Sequence, residues 1–140
     1  MSRIINISDA ALIAFHALAM IAESDGYISN NKIATSMGIS KNHLSKVLQI
    51  LHKNGLIKSA HGPTGGYCLA MFPEEISFKQ VLELIDGPFP NSPCLLASSI
   101  CYRKRCIFGG LISSVNIYIA DTLRNIKLSD FRTKEGYYGK

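Results

Sequence analysis

Residues 40–55 read SKNHLSKVLQILHKNG, and their pattern decides the fold. Ser40 stands where a helix N-cap belongs, its hydroxyl placed to accept a backbone N–H of the first turn. Leu44, Val47, Leu48 and Leu51 then recur at i, i+3, i+4 and i+7, so one stripe of the helix is apolar and seeks a core. Asn54-Gly55 closes it, glycine being the residue that most readily takes a left-handed conformation. Upstream, Ser29 to Met37 reads as a shorter helix with Ile33 and Ala34 inward, and Gly38 turns the chain between the two. Two helices joined by a tight glycine turn, the second capped and basic, describe a helix-turn-helix.

Working outward, Leu56–Ala60 and Tyr67–Ala70 are short strand-like runs on either side of His61-Gly62-Pro63-Thr64-Gly65-Gly66, which is dense in turn residues. A hairpin directly after a helix-turn-helix is a wing. On the other side, Ser8-Asp9 opens a helix with a cap and an acid at the positive end of the dipole. Ala11, Leu12, Phe15, Leu18, Ala19 and Ala22 follow at helical spacing, and Asp25-Gly26 stops the run. Ser77-x-x-Gln80 is a capping-box pattern for a further helix with Val81, Leu82 and Ile85 inward, closed by Asp86-Gly87-Pro88. Pro88, Pro90 and Pro93 then lead into an irregular cysteine-bearing loop.

The helical pattern resumes from about Ile107 to Leu128. Ile112, Val115, Ile119, Thr122 and Ile126 keep a 3-4 spacing, while Leu111, Tyr118 and Leu123 form a second apolar face. That is more apolar surface than a small winged helix covers. The stretch therefore reads as a dimerisation helix with Ile112, Val115, Ile119 and Ile126 as its seam. The expected fold is mainly α with a small β-hairpin wing: a winged helix-turn-helix plus a long dimerisation helix. Its organisation is a DNA-binding unit at 1–87, the cysteine loop at 88–106, the helix at 107–128 and a polar, loosely ordered tail at 129–140.

At 140 residues the chain has room for one domain with a real core. Its 47% hydrophobic and 18% charged content excludes a disordered tail. No uninterrupted run of apolar residues is long enough for a membrane span, so the expectation is a soluble, cytoplasmic protein with no membrane partner. The net charge of +5 is unevenly spread. Residues 26–73 hold five lysines and no Asp or Glu, whereas residues 74–93 hold one lysine against four acids. A zone of 48 residues without a carboxylate reads as a face meant for an anion.

On the second helix of the helix-turn-helix, Lys41, Asn42, Ser45, Lys46 and Gln49 point outward, with His43 near the N-terminal end. Ammonium groups take phosphates, and Asn and Gln amides read adenine edges in the major groove. The wing adds Lys58, His61 and a tip whose Gly62, Gly65 and Gly66 let backbone approach a phosphate or the minor groove.

Three of the four cysteines fall close together, as Cys94-x6-Cys101-x4-Cys106. This does not fit the two close pairs of a zinc knuckle. It does suit an iron–sulfur cluster with a fourth ligand from elsewhere, and equally a cluster-free thiol switch. Arg103, Lys104 and Arg105 lie inside the triad and offset the charge of a thiolate-ligated cluster. Cys68, in a wing strand, reads as a small buried hydrophobe.

Ile39-Ser40-Lys41-Asn42-His43-Leu44, with Leu51, Gly55-Leu56, Ser59, Gly62, Gly65-Gly66-Tyr67 and Leu69-Ala70, resembles the IscR/NsrR (Rrf-type) family of bacterial repressors. These are winged-helix dimers, many of which sense through an iron–sulfur cluster held by three loop cysteines. The resemblance runs from Ser8-Asp9 to Leu128-Ser129-Asp130, and Ser40-Lys41-Asn42-His43 is most similar to the nitric-oxide-sensing branch. It implies cluster ligation by Cys94, Cys101 and Cys106, as [4Fe-4S] or [2Fe-2S]. It also implies DNA contacts from Ser40, Lys41, Asn42, His43 and Lys46 and a wing-tip turn at Gly62 and Gly65-Gly66. No His follows the third cysteine, where Ile107-Phe108-Gly109-Gly110 stands. The resemblance instead points to Asp9, supplied by the partner protomer, as fourth ligand. Two features depart from the family: His61 and Met71 replace basic wing residues, and the cysteine spacing is unequal.

The expectation is a homodimeric repressor whose affinity for a near-palindromic double-stranded operator depends on the cluster, sensing nitric oxide, redox or iron–sulfur status. The alternative keeps the fold but makes it a cluster-free thiol-, metabolite- or partner-responsive regulator. A small metal- or thiol-dependent enzyme is a remote third reading. No Ser/His/Asp arrangement, phosphate loop or carboxylate pair supports it.

Overall fold

The computed structural model describes residues 6–89 and 104–131. It is mostly helical with one two-stranded antiparallel sheet, the mainly α, winged-hairpin class expected from sequence. Helix α1 spans Asp9–Glu23, α2 Asn30–Met37, α3 Lys41–Lys53, α4 Phe78–Asp86 and α5 Leu111–Asn125. Strands β1 (Ile57–Ala60) and β2 (Gly66–Leu69) form the hairpin. Serine caps fix where the first four helices start. Ser8, Ser29, Ser40 and Ser77 each accept the N–H three residues on, from Ala11, Lys32, His43 and Gln80, at 3.1 Å. Each such cap is worth about 1 kcal/mol over alanine.

The core forms where α1, α3, α4 and the hairpin converge. From α3 it takes Leu44, Val47, Leu48 and Leu51, all almost fully buried, and from α2 it takes Ile33 and Ala34. Burying each leucine contributes roughly 1.5–3 kcal/mol of hydrophobic stabilisation. Helix α1 meets this core through a face dominated by alanines, Ala11, Ala14 and Ala17, together with Ile13, Leu18 and Ile21. Leu12, expected inward, lies on the opposite face and is 44% exposed. A stripe of alanines scores weakly for hydrophobicity, but it lets α1 approach its neighbours closely.

Helix α5 differs most from its sequence reading. Its inward face carries Ile112 and Asn116, at 1% and 4% exposure, so Ile112 belongs to this chain's own interior and offers nothing to a partner seam. Val115, Ile119 and Ile126 are half-buried, while Leu111, Ile117 and Tyr118 are 53%, 62% and 73% exposed. The face expected as the seam thus packs in part against this chain's own interior, through Ile112 beside the buried Asn116, and Leu111, Ile117 and Tyr118 are left in solvent. The helix is also shorter than the 107–128 pattern: Ile107–Gly110 form turns, and Ile126 is its C-cap.

Beyond α5 the chain docks rather than trailing away. Phe78 N–H donates to Ile126 O at 3.0 Å, and Leu128 N–H donates to Ile76 O at 2.9 Å. Leu128 is 1% exposed, and a 3-10 turn over Leu128–Phe131 completes the packing. Phe131 stacks on Phe78 with ring centroids 5.1 Å apart, and Phe78 stacks on Phe15 at 4.6 Å. The start of the segment read as a loose polar tail is thus packed, at least through Phe131. Isolated aromatics in a polar stretch leave no periodic signal.

Between α4 and α5 runs a cleft of about 380 Å³ whose walls include Lys79, Glu83, Phe89 and Asn116. Lys79 Nζ and Glu83 Oε1 are 2.7 Å apart along α4. That hydrogen bond holds the Glu83 carboxyl below its ordinary value of 4.5, against a smaller opposing push from burial. A carboxylate lowered in the fold adds stability when ionised and loses it as pH falls through the lowered value. Because the pair is partly exposed, the contribution is only about 0.3–0.5 kcal/mol. Glu83→Gln should therefore be slightly less stable than wild type in urea melts at pH 7. The difference should close as pH drops below the ordinary value of 4.5.

Candidate nucleic-acid interface

The α2–α3 pair is built around Gly38, which adopts φ 66° and ψ 32° and caps α2 with its own N–H. Ser40 opens α3 two residues later, so its hydroxyl is committed to the backbone N–H of His43. The first turn of α3 carries no acid, which leaves the positive end of the helix dipole uncompensated. Asn42, Lys46 and Gln49 are exposed on the side opposite the core, with Lys41 and His43 exposed at its flanks. Lys53 lies on the same line one turn further along and is exposed too. The spacing 42, 46, 49, 53 already carried that information, and the sequence reading stopped one turn short.

Ser45 is a different case. It is half-buried, and its hydroxyl accepts a hydrogen bond from Asn30 Nδ2 of α2 at 2.9 Å. This side chain faces the neighbouring helix, so it ties α2 to α3 instead of joining the outward face.

The hairpin pairs Ile57 with Leu69, Lys58 with Cys68, Ser59 with Tyr67 and Ala60 with Gly66. A third backbone segment joins it: Ile28 N–H donates to Tyr67 O at 2.9 Å and Tyr67 N–H donates to Ile28 O at 2.8 Å. Lys58, His61 and Gly62 are exposed along the wing and at its tip. Gly65 and Gly66 are half-buried and serve the hairpin itself. A Cβ on Gly65 would strike the Ala60 carbonyl, and one on Gly66 would strike the Ile28 carbonyl. Backbone packing within the hairpin and against Ile28 thus requires glycine at both positions. Cys68 is only half-buried, and its thiol beside the exposed Tyr27 pushes that phenol above its ordinary value of 10.0.

Of the cysteine triad, Cys94 and Cys101 lie outside the described residues. Cys106 is an exposed free thiol in the turns before α5, and Lys104 and Arg105 beside it are exposed as well. Asp9 is exposed in the first turn of α1. Just before it, Ser8 donates through its N–H to Asp86 Oδ2 at 3.0 Å and through its hydroxyl to Asp86 Oδ1. Asp86 is the last residue of α4, so the start of α1 sits beside the point where the chain enters the cysteine segment. Among the described residues, no three His, Cys, Asp or Glu side chains form a metal-binding group.

The chain matches the Rrf2 family model, described as an iron-dependent transcriptional regulator, over residues 7–134. It belongs to the Rrf2 family. It is 32% identical over 132 residues to the transcriptional regulator NsrR of Bacillus subtilis, covering 89% of each chain. It is 31% identical over 106 residues to IscR of Pectobacterium atrosepticum, covering 76% of this chain and 65% of that one. The chain spans about half to two thirds (51% to 65%) of the length of the first curated relatives it matches. Its fold is that of CymR, the global cysteine regulator of B. subtilis, with a TM-score of 0.79 at 22% identity, covering 91% of this chain and 96% of that one. These named Rrf2 relatives are transcriptional regulators rather than enzymes, which sets aside the small-enzyme reading. Among the described residues, no helix is long and apolar enough to cross a membrane.

In this Rrf2 chain the wing is anchored where Gly66 meets Ile28, at φ +144° and with no space for a side chain. Gly66→Ala should lower the unfolding free energy by about 2 kcal/mol or more, since the obstacle is backbone. At Gly62 a Cβ meets nothing, and only its φ of +104° opposes a side chain. Gly62→Ala should cost roughly 1–2 kcal/mol. Urea denaturation of the two variants checks both the size and the order.

Proposed function

We propose that this Rrf2-family chain is a homodimeric repressor that binds a near-palindromic double-stranded operator, with its cysteine segment tuning that affinity. The observation that carries the DNA reading is the exposed line Asn42, Lys46, Gln49 and Lys53 on α3, within a zone from residue 26 to 73 that has no carboxylate. Lysines on such a face neutralise phosphates, and the two amides are the side chains suited to base edges. Lys41, His43, Lys58 and His61 extend the face on either side. A dimer would present two copies of α3 about one helical turn of DNA apart. Leu111, Ile117 and Tyr118 support self-association, since so much apolar surface on one helix is costly to leave in water. In this reading residues 1–87 hold the DNA, 88–106 sense, and 107–128 bring two copies together.

The sensing part rests on the cysteine spacing and on the exposure of Cys106 beside two cationic side chains. Cys94, Cys101 and Cys106 would hold an iron–sulfur cluster, with Asp9 as an oxygen ligand from the partner. A bound cluster supplies iron that reacts with nitric oxide and oxidants, and the resemblance to the nitric-oxide-sensing branch favours that signal. A hard carboxylate makes a weaker fourth ligand than a thiolate and so a more labile site. The exposed, free Cys106 also supports a second reading, in which the thiols themselves respond without iron.

Fluorescence anisotropy with labelled duplexes across a salt series tests the first part. Affinity should fall with salt by a log–log slope of about −0.9 per phosphate neutralised, and Lys46→Ala should weaken all duplexes while making the slope shallower by about that amount. A change in sequence preference without loss of affinity would give Lys46 a base-reading role instead. Iron and sulfide analysis after anaerobic loading tests the second part. Wild type should bind both, and Cys106→Ala should lose them. Redox-sensitive DNA binding by iron-free protein would decide for the thiol reading.

A further inference from the structure

Helices α2 and α3 meet through a polar contact as well as through their apolar faces. Asn30, the first residue of α2, donates from Nδ2 to Ser45 Oγ in the middle of α3 at 2.9 Å. Among the described residues, the other end of the same amide, the buried Oδ1, has no hydrogen-bond partner. Two residues earlier, Ile28 is paired by backbone with Tyr67, and the Cα of Gly66 is packed against the Ile28 carbonyl. Asn30 thus stands where the wing root, the start of α2 and the centre of α3 converge.

We propose that Asn30 is a positioning residue, its bond to Ser45 setting α3 against α2 and the wing so that specific, more than total, DNA affinity depends on it. The inference rests on the DNA-binding reading above. With its buried Oδ1 unpartnered among the described residues, the amide's contact with Ser45 adds little net stability. Turning the amide over lets Oδ1 take the Ser45 hydroxyl but orphans Nδ2, so the balance is unchanged. What the contact provides is direction. A hydrogen bond weakens steeply once its geometry drifts, so it restrains rotation of α3 in a way that leucine packing does not. Long lysine side chains follow a phosphate through a small rotation of the helix. The shorter amides of Asn42 and Gln49 must meet two atoms of one base and tolerate much less.

The experiment compares two duplexes of equal length: one enriched by the wild-type protein from a randomised pool, and a scrambled control. Asn30→Ala and Ser45→Ala in the full chain should each lower the ratio of the two affinities by about tenfold, the scale of one lost base-pair contact. The double variant should fall no further than either single one. Affinity for the scrambled duplex and its salt slope should stay close to wild type, with the thermal midpoint lowered by no more than one lost hydrogen bond costs. An unchanged ratio overturns the proposal. So does a parallel loss on both duplexes with a fall in midpoint, which marks a merely structural role. So does a double variant whose loss equals the product of the two singles. Ser45→Ala places a strong helix former inside α3, so it keeps the test valid if Asn30→Ala folds poorly. Failure of wild type to enrich any duplex overturns the DNA-binding reading itself, and the positioning role with it. Failure of the variants alone overturns only the positioning role.

Discussion

Two backbone hydrogen bonds, at 2.8 and 2.9 Å between Ile28 and Tyr67, make the wing and the helix pair one body. A two-stranded hairpin on its own is marginal in water. Here Ile28 acts as a third strand one residue wide, and its own side chain joins the core at 7% exposure. The pairing is possible only because Gly66 has no Cβ, so a choice at one position lets the backbones close. Everything that would touch DNA hangs on this junction: α2 starts immediately after it, α3 follows across Gly38, and the tip extends from the other end of the hairpin.

The electrostatics follow from where the chain omits carboxylates more than from where it adds lysines. Each of α2 and α3 begins with a serine cap and has no acid in its first turn, whereas α1 carries Asp9 there. Capping by a neutral hydroxyl satisfies an orphan N–H and still leaves the helix end positive. Acidic residues gather instead around α4, where Glu83 pairs with Lys79 and Asp86 accepts from Ser8 at the start of α1. The chain thus separates a cationic face from a mixed-charge scaffold at short range, which its total of +5 conceals.

The winged-helix part was legible in sequence because its signals are local. A serine, a leucine stripe and a glycine define α3 with no knowledge of the rest of the chain. What escaped needed three-dimensional neighbours. On α5 two apolar faces compete, and nothing in the spacing says which one packs; a single inward asparagine, Asn116, shifts the answer by one residue. Ser45 looked like a groove-facing hydroxyl until Asn30, fifteen positions away, took it. Gly65 and Gly66 resembled an ordinary turn, and only the carbonyls of Ala60 and Ile28 reveal why side chains are missing there. Phe131 sits in a polar stretch, and its stacking on Phe78 joins elements far apart in the chain.

The pairing of residues 76–78 with 126–128 has a topological consequence. It brings both ends of the intervening stretch, most of α4, the cysteine segment and α5, to one point on the winged-helix body. A pairing of this kind closes the chain on itself, and closure entropy grows only slowly with the length enclosed, by about 0.6 kcal/mol per doubling. The winged-helix body thereby holds the chain on both sides of the segment that carries the cysteines, before it at Ile76 and Phe78 and after it at Ile126 and Leu128.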